Sequence, residues 1–235
     1  MTPDIRDLAE GVATCTRLLV EHGILDYSGH VSARLPGTDT ILIQPKVVSR
    51  AALTAADLLV VDLDGTVVEG RSAPPLETAI HTAVYRSRTD VGFVCHGHPT
   101  LAAAFSMTDA ALRPLRHFAY VFGEALPVHP DPTHIGSREQ GDAVAATLGR
   151  ATACLLRSHG TVVVADSIEK LLMHCVDLEE NARTQVYAAQ LGTIQPLTRQ
   201  EMQRLADDYG SGQSRAEKMW EHYVHKYPQS VGQVR

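Results

Sequence analysis

Val91-Gly92-Phe93-Val94-Cys95 is a short apolar run that passes directly into His96-Gly97-His98-Pro99. Such a run reads as a buried strand. Side chains alternate along a strand, so both imidazoles leave its end on one face while Cys95 turns the other way, into the core. A fold for this chain must therefore bury that strand and still open its end to solvent. An H-x-H pair alone is weak evidence and is more often a pair of surface or hydrogen-bonded histidines at a strand end. Two further residues change the reading: Glu77 upstream, and His159-Gly160 closing a second apolar run downstream. Three neutral imidazoles and one carboxylate are a donor set that a borderline divalent ion accepts while room remains for substrate.

The patterning elsewhere is that of a sheet with helices packed on it. Ile5, Leu8, Ala9, Val12, Cys15, Leu18 and Leu19 recur at helical spacing, and Gly23 supplies the stop. Ile24 to Arg34 predicts a short connection and a strand, with Ser28-Gly29 within it, and Ile41-Leu42-Ile43 a strand ended by Pro45. Leu58 to Asp62 and Thr66 to Glu69 flank Asp64-Gly65, a hairpin signal. Pro74-Pro75 predict the start of a helix with Glu77 in its first turn, beside an apolar stripe of Leu76, Ala79, Ile80, Ala83 and Val84. A short helix is expected over Leu101 to Phe105, a brief strand at Leu126-Pro127-Val128, a helix over Gln140 to Leu148, and strands at Ala153 to Leu156 and Thr161 to Ala165. Ser167 caps a long helix ending at Gly192, and Thr198 with Glu201 is a capping box for another. A last amphipathic segment holds Met219, Trp220 and Tyr223. Hairpins outnumber strand–helix–strand units, so the sheet should be largely antiparallel.

No Ser/Gly run, charge block or repeat interrupts the chain, which reads as one domain over 1–235 with a C-terminal helical segment at about 197–227. Aromatic residues make up only 5% and the net charge is −6, which offers neither a stacking platform nor an electrostatic footprint for nucleic acid or an anionic membrane. Cys15, Cys95, Cys154 and Cys175 are widely spaced and read as reduced, buried thiols. The amino terminus carries no basic-then-apolar signal, and no apolar run is long enough to span a bilayer, so a cytoplasmic location is expected.

Glu77, His96-x-His98-Pro99 and His159-Gly160, preceded by Gly29-His30-Val31-Ser32-Ala33-Arg34, resemble the class II aldolase/adducin family from about Asp7 to about Gln190. The resemblance implies a three-layer α/β/α fold with a central, largely antiparallel sheet. It implies a homotetramer with sites near subunit interfaces. It further implies one divalent ion per chain, Zn²⁺ or Mn²⁺, held by His96, His98 and His159, with Glu77 as the proton-transfer residue.

Departures from the sugar-phosphate members of that family narrow the substrate. They carry Gly-Asn, Thr-Gly and Ser-Ser where this chain has Gly29-His30, Lys46-Val47 and Pro75-Leu76. The hydroxyls are gone, and Pro75 has no N–H to offer a phosphate. Their Tyr after a His is here Phe118 after His117, with Tyr120 as a substitute. Gly29, His30, Arg34, Lys46 and Arg50 would then line a site for a carboxylate. The bland readings are that Arg34 pins a loop and that Lys46 and Arg50 are solvated surface charges. The pattern resembles the branch of decarboxylases acting on hydroxylated aromatic and pyridine dicarboxylates. The expected activity is thus a metal-dependent carbon–carbon lyase, a decarboxylase of a non-phosphorylated hydroxy-aromatic acid. An aldolase acting on a small hydroxy-ketone, hydroxy-acid or sugar phosphate is the alternative. A non-catalytic, adducin-like binding module is a third reading, set against the complete donor set.

Overall fold

A computed structural model describes residues 3–231. Fifteen main elements follow one another as α1 (Pro3–Glu21), β1 (His30–Arg34), β2 (Thr40–Ile43), β3 (Leu59–Asp62), β4 (Val67–Glu69), α2 (Thr78–Ser87), β5 (Phe93–Gly97), α3 (Thr100–Phe105), β6 (Val128–His129), α4 (Arg138–Leu148), β7 (Ala153–Leu156), β8 (Gly160–Ala165), α5 (Ile168–Leu191), α6 (Arg199–Tyr209) and α7 (Gln213–Lys226). The strands form one sheet in the order β4-β3-β2-β1-β5-β8-β7-β6. Every pairing is antiparallel except β6 with β7, as the hairpin signals predict.

Alternation along the strands divides the core into two layers. Val31, Ala33, Leu42, Cys95, Leu155 and Val163 face α1 and α5. Ile41, Ile43, Val61, Val94, Cys154, Val162 and Val164 face α2 and α4. This is the three-layer α/β/α arrangement, and Cys95 lies on the face away from His96, as alternation requires.

Two local expectations need correction. Glu77 is the residue immediately before α2, at its N-cap with φ −96° and ψ 25°, and not within the first helical turn. Leu76 is 60% exposed and contributes nothing to the buried stripe, which consists of Ile80, Ala83 and Val84 with Tyr85. Pro74 and Pro75 delay the helix: its first backbone bonds run from Thr78 N to the Pro75 carbonyl and from Ile80 N to the Glu77 carbonyl.

The long helix α5 serves the rest of the chain through buried polar side chains. Glu179 accepts from Leu101 N (3.0 Å) and Ala102 N (2.8 Å), satisfying the start of α3, which has no side-chain cap of its own. Asn181 and Gln185 bond the backbone of Ala111, Arg113, Leu115 and Arg116, holding the irregular stretch after α3. The turn after His98 is therefore anchored from behind by a carboxylate. No helix of the described residues is long and apolar enough to cross a membrane.

Candidate metal centre

β5 and β8 are the fifth and sixth strands in the sheet order and pair Gly97 with Thr161. His96 and His98 leave the end of β5, and His159 stands in the turn just before β8. The chains approach closely there. A Cβ on Gly160 would lie 2.3 Å from the Gly97 carbonyl oxygen, and one on Gly97 would lie 2.8 Å from that of Ile24. Gly160 lets the two ligand-bearing turns touch backbone to backbone, and Gly97 lets the Ile24 backbone close against the end of β5.

Glu77, His96, His98 and His159 each offer a ligand atom, and these atoms all lie within 4.8 Å of one another. Glu77 Oε2 is 3.1 Å from His96 Nε2, and Oε1 is 3.4 Å from His159 Nε2. Ligands about 2.0–2.1 Å from a tetrahedral ion stand roughly 3.3 Å apart, so these spacings suit an ion between them. His96 is fully buried, and its Nδ1 faces the Thr161 carbonyl at 3.0 Å. Its Nε2 lies off the line of a hydrogen bond to Glu77 despite their proximity and has no hydrogen-bond partner. A buried nitrogen left in this way is costly unless something binds it. His98 Nδ1 meets Ser28 Oγ at 3.2 Å, which leaves Nε2 for the centre. Backbone and hydroxyl contacts of this kind fix ring orientation around a metal. The donor set, its spacing and the unpartnered nitrogen all fit a divalent ion.

Burial by itself would raise the Glu77 carboxyl, but contacts from His159 and His96 outweigh it and hold the group well below the usual carboxylate range. Glu77 also accepts from Ile135 N at 3.3 Å. Burial, with the neighbouring His96 and His159, lowers His98 to about 4. Glu77 is therefore ionised and His98 neutral near pH 7, the states in which both bind a cation.

The remaining expected site residues divide. Gly29, at φ +83°, brings the backbone against the centre, since a Cβ there would lie 3.0 Å from the His96 carbonyl oxygen. His30 pairs directly with His96 across β1 and β5, with ring centroids 5.1 Å apart. Lys46 is exposed. Arg50 is neither a surface charge nor aimed at a ligand: it is buried, and its guanidinium donates to the carbonyls of Gly29, Lys46 and Val48. Arg34 lies at the far end of β1, roughly 13 Å along the strand from His30. It donates to the carbonyls of Val91, Tyr85 and Arg88. Both arginines support loops, so the cationic carboxylate pocket expected from sequence is not assembled from them. Tyr120 is also not brought to the cluster. It stacks on Tyr209 and lines a hollow with Val91, Ala165 and Asp166, at the opposite end of β5 and β8. Phe118 lies under the Arg215 guanidinium, 3.4 Å from CZ to the ring centroid.

Two further histidines lie near the centre: His134, not singled out from sequence, and His81, expected to be structural or exposed. His134 Nε2 is 3.8 Å from Glu77 Oε1 on a side chain 54% exposed. His81 is fully buried one helical turn after Glu77 and bonds His30. The spacing Glu77-His81-Tyr85, each four residues on, was a legible signal that these side chains share one face of α2. A cavity of about 860 Å³ between α5, α6 and α7 contains none of the four cluster residues. Donor chemistry, not cavity size, locates the centre.

The profile of the class II aldolase and adducin N-terminal domain matches residues 10–186. A 3,4-dihydroxyphthalate decarboxylase from Arthrobacter keyseri is 28% identical over 217 residues, spanning 86% of this chain and 87% of its own. An enzyme of the same description from Terrabacter sp. is 28% identical over 227 residues, 91% of this chain and 94% of that one. Among solved structures, an L-fuculose 1-phosphate aldolase from Glaciozyma antarctica superposes with a TM-score of 0.85 at 21% identity, covering 97% of this chain and 92% of the other.

Proposed function

The chain belongs to the class II aldolase and adducin family, and from that premise we propose that it is a divalent-metal-dependent carbon–carbon lyase that decarboxylates a non-phosphorylated hydroxy-aromatic carboxylic acid. The observation that carries this reading is the convergence of Glu77, His96, His98 and His159 within 4.8 Å. Similarity to two dihydroxyphthalate decarboxylases along most of the chain supports the choice of leaving group. So does the loss of the Ser-Ser pair at Pro75-Leu76, which removes a phosphate cradle.

His96, His98 and His159 hold the ion, Zn²⁺ or Mn²⁺, which supplies Lewis acidity for charge building on substrate oxygen. Ser28 and the Thr161 carbonyl orient two of those rings. Glu77 is ionised at rest and takes the proton that a substrate hydroxyl gives up on binding. Glu77 delivers that proton to the ring carbon bearing the carboxylate, which draws on the electrons of the substrate oxyanion to form the new C–H bond. The bond from that carbon to the carboxylate then breaks, carbon dioxide departs, its bonding pair returns to the ring and its oxygen, and the product hydroxyl is reprotonated from solvent. One carboxylate is thereby replaced by one hydrogen.

A homotetramer in the cytoplasm, with sites near subunit interfaces, accompanies this reading. Tyr120 contributes to catalysis only if it reaches a neighbouring subunit's centre. The deciding experiment incubates metal-loaded protein with hydroxy-aryl dicarboxylates and with sugar phosphates. Release of carbon dioxide from the former supports the proposal. Aldehyde from the latter transfers the assignment to an aldolase, and metal binding with neither product points to a binding module.

A further inference from the structure

Beside the metal centre, the face of the sheet covered by α2 holds four linked polar side chains among apolar ones. His30 Nδ1 is 2.7 Å from His81 Nε2, His81 Nδ1 is 2.6 Å from Ser32 Oγ, and Ser32 Oγ is 2.9 Å from the Tyr85 hydroxyl. Tyr85 in turn donates to the Gly92 carbonyl at 3.4 Å. Ser32 and His81 are completely inaccessible, and Tyr85 nearly so. Burying such a chain is costly unless each hydrogen finds an acceptor.

Its polarity follows from counting hydrogens. The Gly92 carbonyl can only accept, so Tyr85 donates to it. The Tyr85 oxygen then accepts from Ser32, Ser32 Oγ accepts from His81 Nδ1–H, and the bare His81 Nε2 accepts from His30 Nδ1–H. Each neutral group contributes one hydrogen, and every link is filled with none to spare. Burial, reinforced by nearby His96, keeps His81 neutral by lowering it to about 3. Reversing the chain turns the Tyr85 hydrogen away from Gly92 and loses that link. The filled arrangement leaves a lone pair on His30 Nε2. This nitrogen makes no hydrogen bond among the described residues, yet it is not sealed from solvent as His96 Nε2 is. It belongs to the ring standing beside His96.

We infer that His81 is a positioning residue that fixes the tautomer of His30, and that His30 Nε2 accepts a hydrogen bond from a substrate hydroxyl. This differs from the carboxylate contact that the sequence suggests for His30, because a carboxylate has no hydrogen to give to a lone pair. The hydroxyl concerned is a different one from that which supplies Glu77, so the inference rests on the hydroxy-aromatic reading and refines it.

Two measurements test it. In zinc-loaded protein labelled with ¹⁵N-histidine, long-range ¹H–¹⁵N spectra, assigned with His30→Asn and His81→Asn, should show hydrogen on Nδ1 of both residues and a bare Nε2 on His30. A hydrogen on His30 Nε2 overturns the inference, whatever the substrate proves to be. The second measurement compares binding of a dihydroxy-aryl carboxylate, and of its mono-methyl ether blocked at the hydroxyl that does not supply Glu77, to wild type and to Ser32→Ala, which removes the acceptor of His81. Loss of one oriented hydrogen bond should weaken the hydroxy ligand roughly 3- to 10-fold and leave the ether unchanged. Equal weakening of both, or of neither, overturns the positioning role. If neither ligand binds the wild type, the decarboxylase reading fails while the spectra still decide the tautomer.

Discussion

Removing the metal should lower the melting temperature of the wild type but not that of His98→Ala. The four ligand atoms are already gathered within 4.8 Å by the ends of β5 and β8 and the start of α2. Ion binding therefore need not be spent on folding the site, and its free energy adds to the stability of the native state. At an ion concentration 100-fold above Kd that increment is about 2.7 kcal/mol. For a chain of this size, about 1 kcal/mol corresponds to roughly 2–4 °C, so the rise should be about 5–11 °C. Truncating His98 also removes a partly buried ring, with a packing cost present in both metal-free and metal-loaded protein. Melting wild type and His98→Ala, each with chelator and with excess Zn²⁺ or Mn²⁺, cancels that cost in the double difference. An undiminished metal-induced rise in His98→Ala refutes its assignment as a ligand. No rise in the wild type with either ion refutes the metal centre.

Glu77→Gln should keep the ion yet lose about 10²–10⁴ in turnover, because an amide cannot cycle a proton; elemental analysis beside a carbon dioxide assay checks both, and turnover within a few-fold of wild type removes Glu77 from that role. Gly160→Ala places a Cβ 2.3 Å from the Gly97 carbonyl oxygen and 2.9 Å from the His98 ring. The crowding should cost about 1–3 kcal/mol in denaturant melts and lower metal content, and unchanged occupancy would show that the close approach does not set ligand spacing. His22 and His81 are depressed to about 4 and about 3, chiefly by burial. The unfolded chain therefore takes up protons at these positions below its ordinary pKa of about 6.5 while the folded chain does not. Stability of the metal-free protein is fully present above that value and should fall between pH 7 and pH 5. The loss is roughly 2 kcal/mol for buried His81 and less for the partly exposed His22. Urea midpoints that stay level across that range would contradict this.

What was legible in the sequence was whatever depends on near neighbours. The alternation that sends His96 and Cys95 to opposite faces, the Asp64-Gly65 hairpin, and the Thr198-Glu201 capping box are all decided within a few residues, and each is found in the structure. The loop-pinning role of Arg34 was legible only as one of two readings, and that of Arg50 was not legible. A guanidinium goes where the fold leaves carbonyls unpaired, and those of Gly29, Tyr85, Arg88 and Val91 become available only after β1, α2 and β5 have assembled. Tyr120 illustrates the same limit, since its segment lies at the other end of the sheet for reasons set by α5 and its side-chain bonds to distant backbone. The His30–His81 contact joins residues 51 positions apart and was hidden in half, because only the α2 spacing could be read.

The position of β5 and β8 in the middle of an eight-stranded sheet bears on the time course of metal exchange. Amides of central strands exchange with solvent mainly through global opening, whereas turns and rims open at far lower cost. The backbone that carries His96 is therefore held rigid for as long as the protein stays folded. His98 and His159 sit just beyond the ladder, on turns partly open to solvent. An ion can leave by way of these two ligands without any strand separating, and its lifetime is decoupled from that of the fold. A chelator should thus empty the centre far faster than the Cys95 and Val163 amides exchange, and their protection should fall only by the stability the ion had supplied, about 100-fold at an ion concentration 100-fold above Kd.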